Sequence, residues 1–227
     1  MNHKKKLVIV GDGNFGQMAY KYFTHDSMYT VVGFAVEKQF RTRDTLFNLP
    51  IVNFEEIENH FSNKDHNIFV AITFVQLNQA RTRLYLTSKT KGYKIASYIS
   101  PKASCFGASI GENVFILEYN VIQPFAEIGN NVIFMGNTNW IGHHTIIKDN
   151  CFISSHVAIA GCTEVGENCF VGINSSIADY IKIAKNCFIC MGSVVTKSTE
   201  ENNVYKGHPA QATGIKATQY LMKDNNA

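Results

Sequence analysis

The chain has 227 residues, 45% of them hydrophobic and 17% charged, with a formal net charge of +3. That length supports one large or two modest globular domains with a real core. The small, dispersed charge leaves no nucleic-acid footprint, and no apolar run approaches the ~18 residues of a membrane span, so neither partner is expected.

At the N-terminus Lys4-Lys5-Lys6 has the look of an export-signal n-region, but the apolar run behind it, Leu7 to Val10, stops at Gly11. That is too short for a signal, which predicts a cytoplasmic protein with reduced cysteines. Over residues 1–97 strand and helix signals alternate. Lys6–Val10, Thr30–Val36, Asn67–Thr73 and Lys94–Tyr98 read as strands; Gln17–Phe23, Glu55–Phe61 and Asn78–Thr90 have helical character. This alternation predicts a parallel sheet of βαβ units. Gly11-Asp-Gly-Asn-Phe-Gly16 lies between the first strand and the first helix, the setting of a phosphate-cradling turn. Glu37, 21 residues beyond Gly16, stands where a dinucleotide fold places its ribose-binding acid. Taken alone the pattern suggests NAD; four strands, however, make half a dinucleotide fold, enough for one mononucleotide.

From Ile99 onward a period of six takes over. Ile110-Gly-Glu-Asn-Val-Phe, Ile128-Gly-Asn-Asn-Val-Ile, Val165-Gly-Glu-Asn-Cys-Phe and Ile183-Ala-Lys-Asn-Cys-Phe share an aliphatic opener and a small fifth residue. Openers recur without a gap from Ile141 through Ile147, Ile153, Ile159, Val165, Val171, Ile177 and Ile183 to Ile189. Such a period describes a hexapeptide β-helix, in which three short strands close a coil of 18 residues and every eighteenth residue stacks on its predecessor. Cys151, Cys169 and Cys187 then form a buried column rather than disulfides or a metal site, and the asparagine before each occupies a turn that tolerates a left-handed backbone. The count slips once. Phe134-Met-Gly-Asn-Thr-Asn-Trp140 is a seven where a six belongs, and His143 and His144 follow it. An added residue is best placed as a bulge at a corner, where it can re-aim side chains.

Ile141-Gly-His-His-Thr-Ile, Asn168-Cys-Phe-Val-Gly-Ile-Asn-Ser, Gly192-Ser-Val-Val-Thr-Lys and Gly207-His-Pro-Ala carry a family resemblance. With the α/β region in front, the chain resembles the left-handed β-helix sugar acyltransferases that N-acetylate nucleotide-linked amino sugars or O-acetylate sialic acid. The resemblance implies a half-Rossmann α/β domain over 1–97, a left-handed parallel β-helix over 98–204 and a C-terminal extension over 205–227. It also implies a homotrimer with acetyl-CoA in a groove between neighbouring β-helices, and no metal. His143 holds the family's catalytic position, third in its hexad, and His144 stands where relatives carry an acid that orients the base. A second histidine of some relatives is Phe152 here, with His156 four places on. The Gly161 amide is the implied oxyanion donor. Ile173, Gly192, Lys197 and Lys206 are further acetyl-CoA candidates, and Lys216 is another basic residue that could reach the CoA phosphates. Gln211 replaces the basic residue often found after Pro-Ala. The glycine turn would hold the sugar nucleotide through Gly11, Gly13, Asn14 and Gly16, with Glu37 and Lys38 near its ribose or base. The segment Val204–Ala210 is expected to leave the coil along the cofactor groove, and residues from Asp224 on to fray. The function so implied is N-acetylation of a nucleotide-linked 4-amino-4,6-dideoxy sugar, UDP- or dTDP-linked, for surface polysaccharide or glycan. Sugar O-acetylation and a non-catalytic nucleotide- or NAD-binding trimeric scaffold are the alternatives.

Overall fold

The computed structural model describes residues 4–220. They form two compact units, residues 4–73 with 81–98 and residues 74–80 with 99–220. Asp224 and the residues after it lie outside the described residues.

In the first unit β1 (Lys5–Val10), α1 (Asn14–Asp26), β2 (Tyr29–Val36), β3 (Thr45–Leu46), β4 (Leu49–Asn53), β5 (His66–Val70), α2 (Gln79–Thr90) and β6 (Lys94–Ile95) follow one another. The sheet order is β3-β4-β2-β1-β5-β6, parallel except for the β3–β4 hairpin. Val8, Val10, Ala35, Ile68 and Val70 pack here with Leu84 and Tyr85 of α2. The sheet is thus larger than the four strands expected. In Leu49-Pro-Ile-Val-Asn, Pro50 argues against a strand, yet it precedes Ile51, the first residue paired with β2, so its missing N–H costs no parallel ladder bond. Nor is Glu55–Phe61 an α-helix. Phe54–Asn59 forms 3₁₀ turns interrupted at Glu56, because the buried residues Phe54 and Ile57 recur at three, the 3₁₀ period. Lys94–Tyr98 divides into β6 and a second short strand, Tyr98–Ile99. Strand order reverses between β1 and β5, so the glycine turn after β1 occupies the crevice where open α/β sheets bind ligands.

The second unit is a parallel β-helix with three faces. One stacks Val121–Ile122, Trp140–Ile141, Ala158–Ile159, Ser176–Ile177 and Val194–Val195; the next stacks Ser109–Ile110, Glu127–Ile128, Ile146–Ile147, Glu164–Val165 and Lys182–Ile183. The third includes Phe115–Ile116, Ile133–Phe134, Phe152–Ile153, Phe170–Val171 and Phe188–Ile189. The aliphatic openers from Ile141 to Ile189 are buried inside, and Cys151, Cys169 and Cys187 are wholly buried in the same core. All six cysteines are free thiols.

The fifth hexad residue does more than stay small. Each column thiol donates to a carbonyl of the next turn of chain at 3.1 Å: Cys151 to Gly166, Cys169 to Ala184, Cys187 to Glu200. Thr163 and Ser175 do the same toward Ala178 and Cys190, at 2.9 and 3.0 Å. Asn113, Asn131, Asn150, Asn168 and Asn186 all have positive φ. Their amides hydrogen-bond along the corner, Asn113 to Asn131 at 2.8 Å and Asn168 to Asn186 at 3.1 Å, and Asn202 caps the row at 2.9 Å.

Outward residues on the third face are aromatic. Phe152, Phe170 and Phe188 stack at 5.5 and 4.4 Å, and Phe74 lies against the first two at 5.1 and 4.7 Å. Asn78 donates to the Asn168 and Cys169 carbonyls at 3.3 Å each. This is why residues 74–80 belong with the β-helix, although the sequence assigns them to the α/β region.

The slip is confined to the corner between Phe134 and Trp140, since Ile133 pairs with Phe152 at a separation of 19 and Trp140 with Ala158 at 18. Two buried asparagines repair the interrupted ladder. Asn120 donates to the Gly136 carbonyl at 2.9 Å and accepts from the Asn139 N–H at 3.2 Å, while Asn139 accepts from the Val157 N–H at 2.7 Å.

Contrary to expectation, Asn203–Gly207 does not leave the coil. It adds a strand beside Phe188–Ile189 and returns as the antiparallel strand Ala210–Lys216. Tyr205 explains the difference: its ring joins the β-helix core and its hydroxyl accepts from the Glu200 N–H at 2.7 Å. No helix among the described residues is long and apolar enough to cross a membrane.

Candidate functional site

The three corners differ in the residue that holds the left-handed position. One corner uses asparagine throughout. The corner after the first face instead carries Gly107, Phe125, His144, Cys162 and Tyr180, with φ of 73°, 65°, 56°, 56° and 54°. Each bulky side chain there costs on the order of 1 kcal/mol relative to glycine, and such strain concentrates at functional positions.

His143 and His144 sit on this strained corner, both exposed. The His143 N–H donates to Gln123 Oε1 at 2.9 Å, and its carbonyl accepts from the Cys162 N–H at 2.9 Å. The ring nitrogens Nδ1 of His143 and His144 lie 3.1 Å apart, and Cys162 Sγ is 4.0 Å from His143 Nδ1. The His144 ring stacks on Phe125 at 4.7 Å. Gly161 lies one coil on, directly under the His143 ring: a β-carbon there would come within 2.9 Å of His143 Cε1 and 3.0 Å of Nε2. Among the described residues no acceptor is found for the Gly161 N–H. Burial raises the Cys105 and Cys190 thiols above their ordinary range, and a hydrogen bond to Cys162 raises the Tyr180 phenol.

The structure therefore brings His143, His144 and Gly161 together and adds Gln123, Phe125, Cys162 and Tyr180, which the hexad pattern did not mark. Phe125, Cys162 and Tyr180 could have been found as exceptions to asparagine in the left-handed columns; Gln123, whose backbone is not left-handed, carries no such signal. His156 is not part of the group. It lies on the preceding corner, where Thr138 Oγ1 is 2.6 Å from its Nδ1. Phe152 belongs to the aromatic stack. Ile173 and Gly192 share His156's corner, with the Gly192 N–H donating to the Ile173 carbonyl at 2.9 Å. Ile173 and Met191 are exposed, and a side chain added at Gly192 would meet nothing within 4 Å. Between this corner and His143's runs the first face, whose outward residues Ala158 and Ser176 are small and exposed. Lys197 and Lys206 are exposed, the first just beyond Val194–Val195 and the second on Asn203–Gly207, and Lys216, also exposed, ends the returning strand.

In the α/β unit Gly13 caps α1, Asn14 begins it, and a side chain at Gly13 would meet nothing within 4 Å. Gly16 is obligatory, because a β-carbon would overlap the Gly11 carbonyl. Gly11 has φ 109°, and a β-carbon there would come within 2.8 Å of the Ala71 carbonyl oxygen. Asp12 is held by Arg43 at 2.7 Å. Glu37 is engaged by Arg83 in a bidentate pair at 2.9 and 3.0 Å that raises the arginine's pKa, and the Lys38 N–H donates to Glu55. Lys38, Arg41, Thr42, Arg43, Asp44 and Asn53 line a basic hollow of about 370 Å³, also unmarked in the sequence.

The fold is thus of the parallel β-helix class, with paired histidines on a strained corner. The family model for the bacterial transferase hexapeptide (six repeats) matches residues 107–139 and 162–197. The fold is similar to the acetyltransferase domain of PglB from Neisseria gonorrhoeae, with a TM-score of 0.81 at 20% identity over 92% of this chain and 99% of that one. PerB from Caulobacter crescentus, solved with CoA and GDP-perosamine, also gives a TM-score of 0.81 at 20% identity, over 92% and 97%. WeeI from Acinetobacter baumannii gives 0.63 at 15%, over 92% and 99%. No curated protein sequence matches the chain significantly.

Proposed function

We propose that this protein is a cytoplasmic, trimeric acetyltransferase that moves an acetyl group from acetyl-CoA to the amine of a nucleotide-linked amino sugar. The observation that carries the reading is His143, a solvent-facing imidazole whose Nε2 overhangs a glycine required by that overhang. A neutral imidazole can take the proton of an attacking amine, because its unperturbed pKa of about 6.5 is close to working pH. The Gly161 N–H faces the developing oxyanion in this scheme. Acetyl-CoA supplies the thioester; no acyl-enzyme is needed, and the column cysteines are buried. The exposed apolar corner of Ile173 and Met191, open at Gly192, suits a pantetheine arm, with Lys197, Lys206 and Lys216 available to its phosphates.

Gly11, Gly13, Asn14 and Gly16 at the switch point suit the nucleotide's phosphates, and Lys38 its ribose or base. The nucleotide sugar bound to PerB, GDP-perosamine, adds GDP to UDP and dTDP as a candidate nucleotide. The Glu37–Arg83 pair makes Glu37 a wall of this site rather than a free ribose acceptor, which weakens the NAD alternative.

The test is turnover of acetyl-CoA with UDP-, dTDP- and GDP-linked 4-amino-4,6-dideoxy sugars, alongside the 4-hydroxy analogues, and the molar mass by light scattering. His143→Asn should lower kcat by ~10²–10⁴ with acetyl-CoA affinity retained. Turnover of the hydroxyl acceptors alone would favour O-acetylation, and nucleotide binding with no acetyl-CoA binding would favour a scaffold.

A further inference from the structure

The two adjacent imidazoles impose a proton count on each other. Their Nδ1 atoms are 3.1 Å apart, and the rings are nearly perpendicular at 85°. Two lone pairs at that distance repel, and two N–H groups collide. The contact is attractive only when one Nδ1 carries a proton and the other does not. If His144 is the donor, the Nδ1 of neutral His143 is bare and its proton sits on Nε2, the nitrogen over Gly161, which then cannot act as a base. If His143 is the donor, its Nε2 is free toward Gly161.

Two features favour the second arrangement. Phe125 stacks on the His144 ring at 4.7 Å and 27°, fixing its plane and leaving its Nε2 edge to water, where an N–H is satisfied. Cys162 Sγ, 4.0 Å from His143 Nδ1, is too far for more than a weak contact, so His144 is the main acceptor that His143 Nδ1–H meets. The other groups packed against the pair are Gln123, whose Oε1 is spent on the His143 N–H, and, beyond Tyr180, Asp179. Among the described residues no carboxylate hydrogen-bonds either ring.

We infer that His144 is a positioning residue that accepts the Nδ1–H of His143 and so locks the base in the tautomer with Nε2 free, and that Phe125 holds His144 in place. The inference rests on His143 being the base. During transfer the acceptor's amine proton is taken on Nε2, and the resulting imidazolium donates its Nδ1–H to the neutral ring of His144. A neutral ring replaces the usual carboxylate, so the site gains no extra negative charge beside an incoming CoA thioester.

The test begins without any acceptor. In long-range ¹H–¹⁵N spectra of the full-length protein labelled at histidine, assigned with His143→Asn and His144→Asn, neutral His143 should show a protonated Nδ1 and a bare Nε2. His144 should show the reverse, and Phe125→Ala should return His143 to the ordinary Nε2–H form. His143 protonated at Nε2 in the parent protein overturns the inference, whatever the enzyme's substrate proves to be. With a turned-over acceptor, His144→Phe should lower kcat about tenfold or more, less than loss of the base itself. The double variant Phe125→Ala/His144→Phe should be no worse than His144→Phe alone, because Phe125 acts through His144. Fully additive losses would overturn the coupling.

Discussion

Gly161 shows how a single missing side chain reports on its neighbour. Its backbone is not left-handed, so its conformation does not demand glycine; the His143 imidazole above it does. The two nearest contacts are to that ring, the mobile end of an exposed side chain, and the third is the His143 carbonyl oxygen at 3.1 Å, so Gly161→Ala should fold with a small loss of stability and displace the imidazole. We expect an unchanged circular dichroism spectrum, a modestly lowered melting temperature and kcat reduced by ~10- to 10²-fold, a partial loss of general-base catalysis. Full activity would mean that the imidazole does not work from this position. Gly13 is the opposite case, since nothing lies within 4 Å of its added side chain. Gly13→Val should also fold, and should raise KM for the sugar nucleotide while leaving KM for acetyl-CoA unchanged. Equal effects on both substrates would count against phosphate binding at the turn.

Columns, not individual coils, hold the β-helix together. Cys169 is fully buried, its thiol pushed well above the ordinary range by burial, and it donates to the Ala184 carbonyl. Cys169→Ala removes the sulfur's packing and that hydrogen bond, for a loss of about 1–2 kcal/mol by chemical denaturation with turnover retained. Lost turnover in a folded variant would give the thiol a chemical role. On the second face Glu164 lies between Lys148 and Lys182 at 2.7 and 3.1 Å, and the Lys148 hydrogen bond holds its carboxyl below the usual range. A depressed carboxyl pKa stabilises the fold above the unfolded value, and this contribution fades as pH falls through the folded one. The melting-temperature gap between the parent and Glu164→Gln should therefore be open near neutrality, close as pH falls through the lowered folded value, and shrink in high salt because the cluster is partly exposed. A gap independent of pH would assign the effect to packing instead.

At the scale of the whole molecule, two units of different grammar divide the work. In the proposed reaction the α/β unit would offer amides and basic residues to a phosphorylated ligand, and the β-helix a base and an apolar corner. The sequence boundary at residue 97 is close to the division after Tyr98, but residues 74–80 cross it. Local pattern placed them before a helix, whereas Phe74 and Asn78 answer a demand set far along the chain, by Phe152, Phe170 and the carbonyls of Asn168 and Cys169.

The sequence by itself determined the β-helix, because a period of six is a local repetition and every aliphatic opener has to be buried by its own copy one coil away. The left-handed asparagines, the cysteine column and the corner bearing the extra residue were legible for the same reason. The parallel sheet was legible in type but not in extent. Pro50 masked β4, and only pairing with β2 shows that the proline falls outside the parallel ladder. Only the tertiary structure decided the surroundings of the base. Gln123, Phe125, Cys162 and Tyr180 are up to 57 residues apart in the chain. The coil stacks them onto one corner, and the inserted residue sets the register at which they meet His143 and His144. The 4.0 Å approach of Cys162 Sγ to His143 Nδ1 and the 4.7 Å stack of Phe125 on His144 come from that stacking. No pattern of neighbours along the chain encodes them, because they depend on how successive coils superpose.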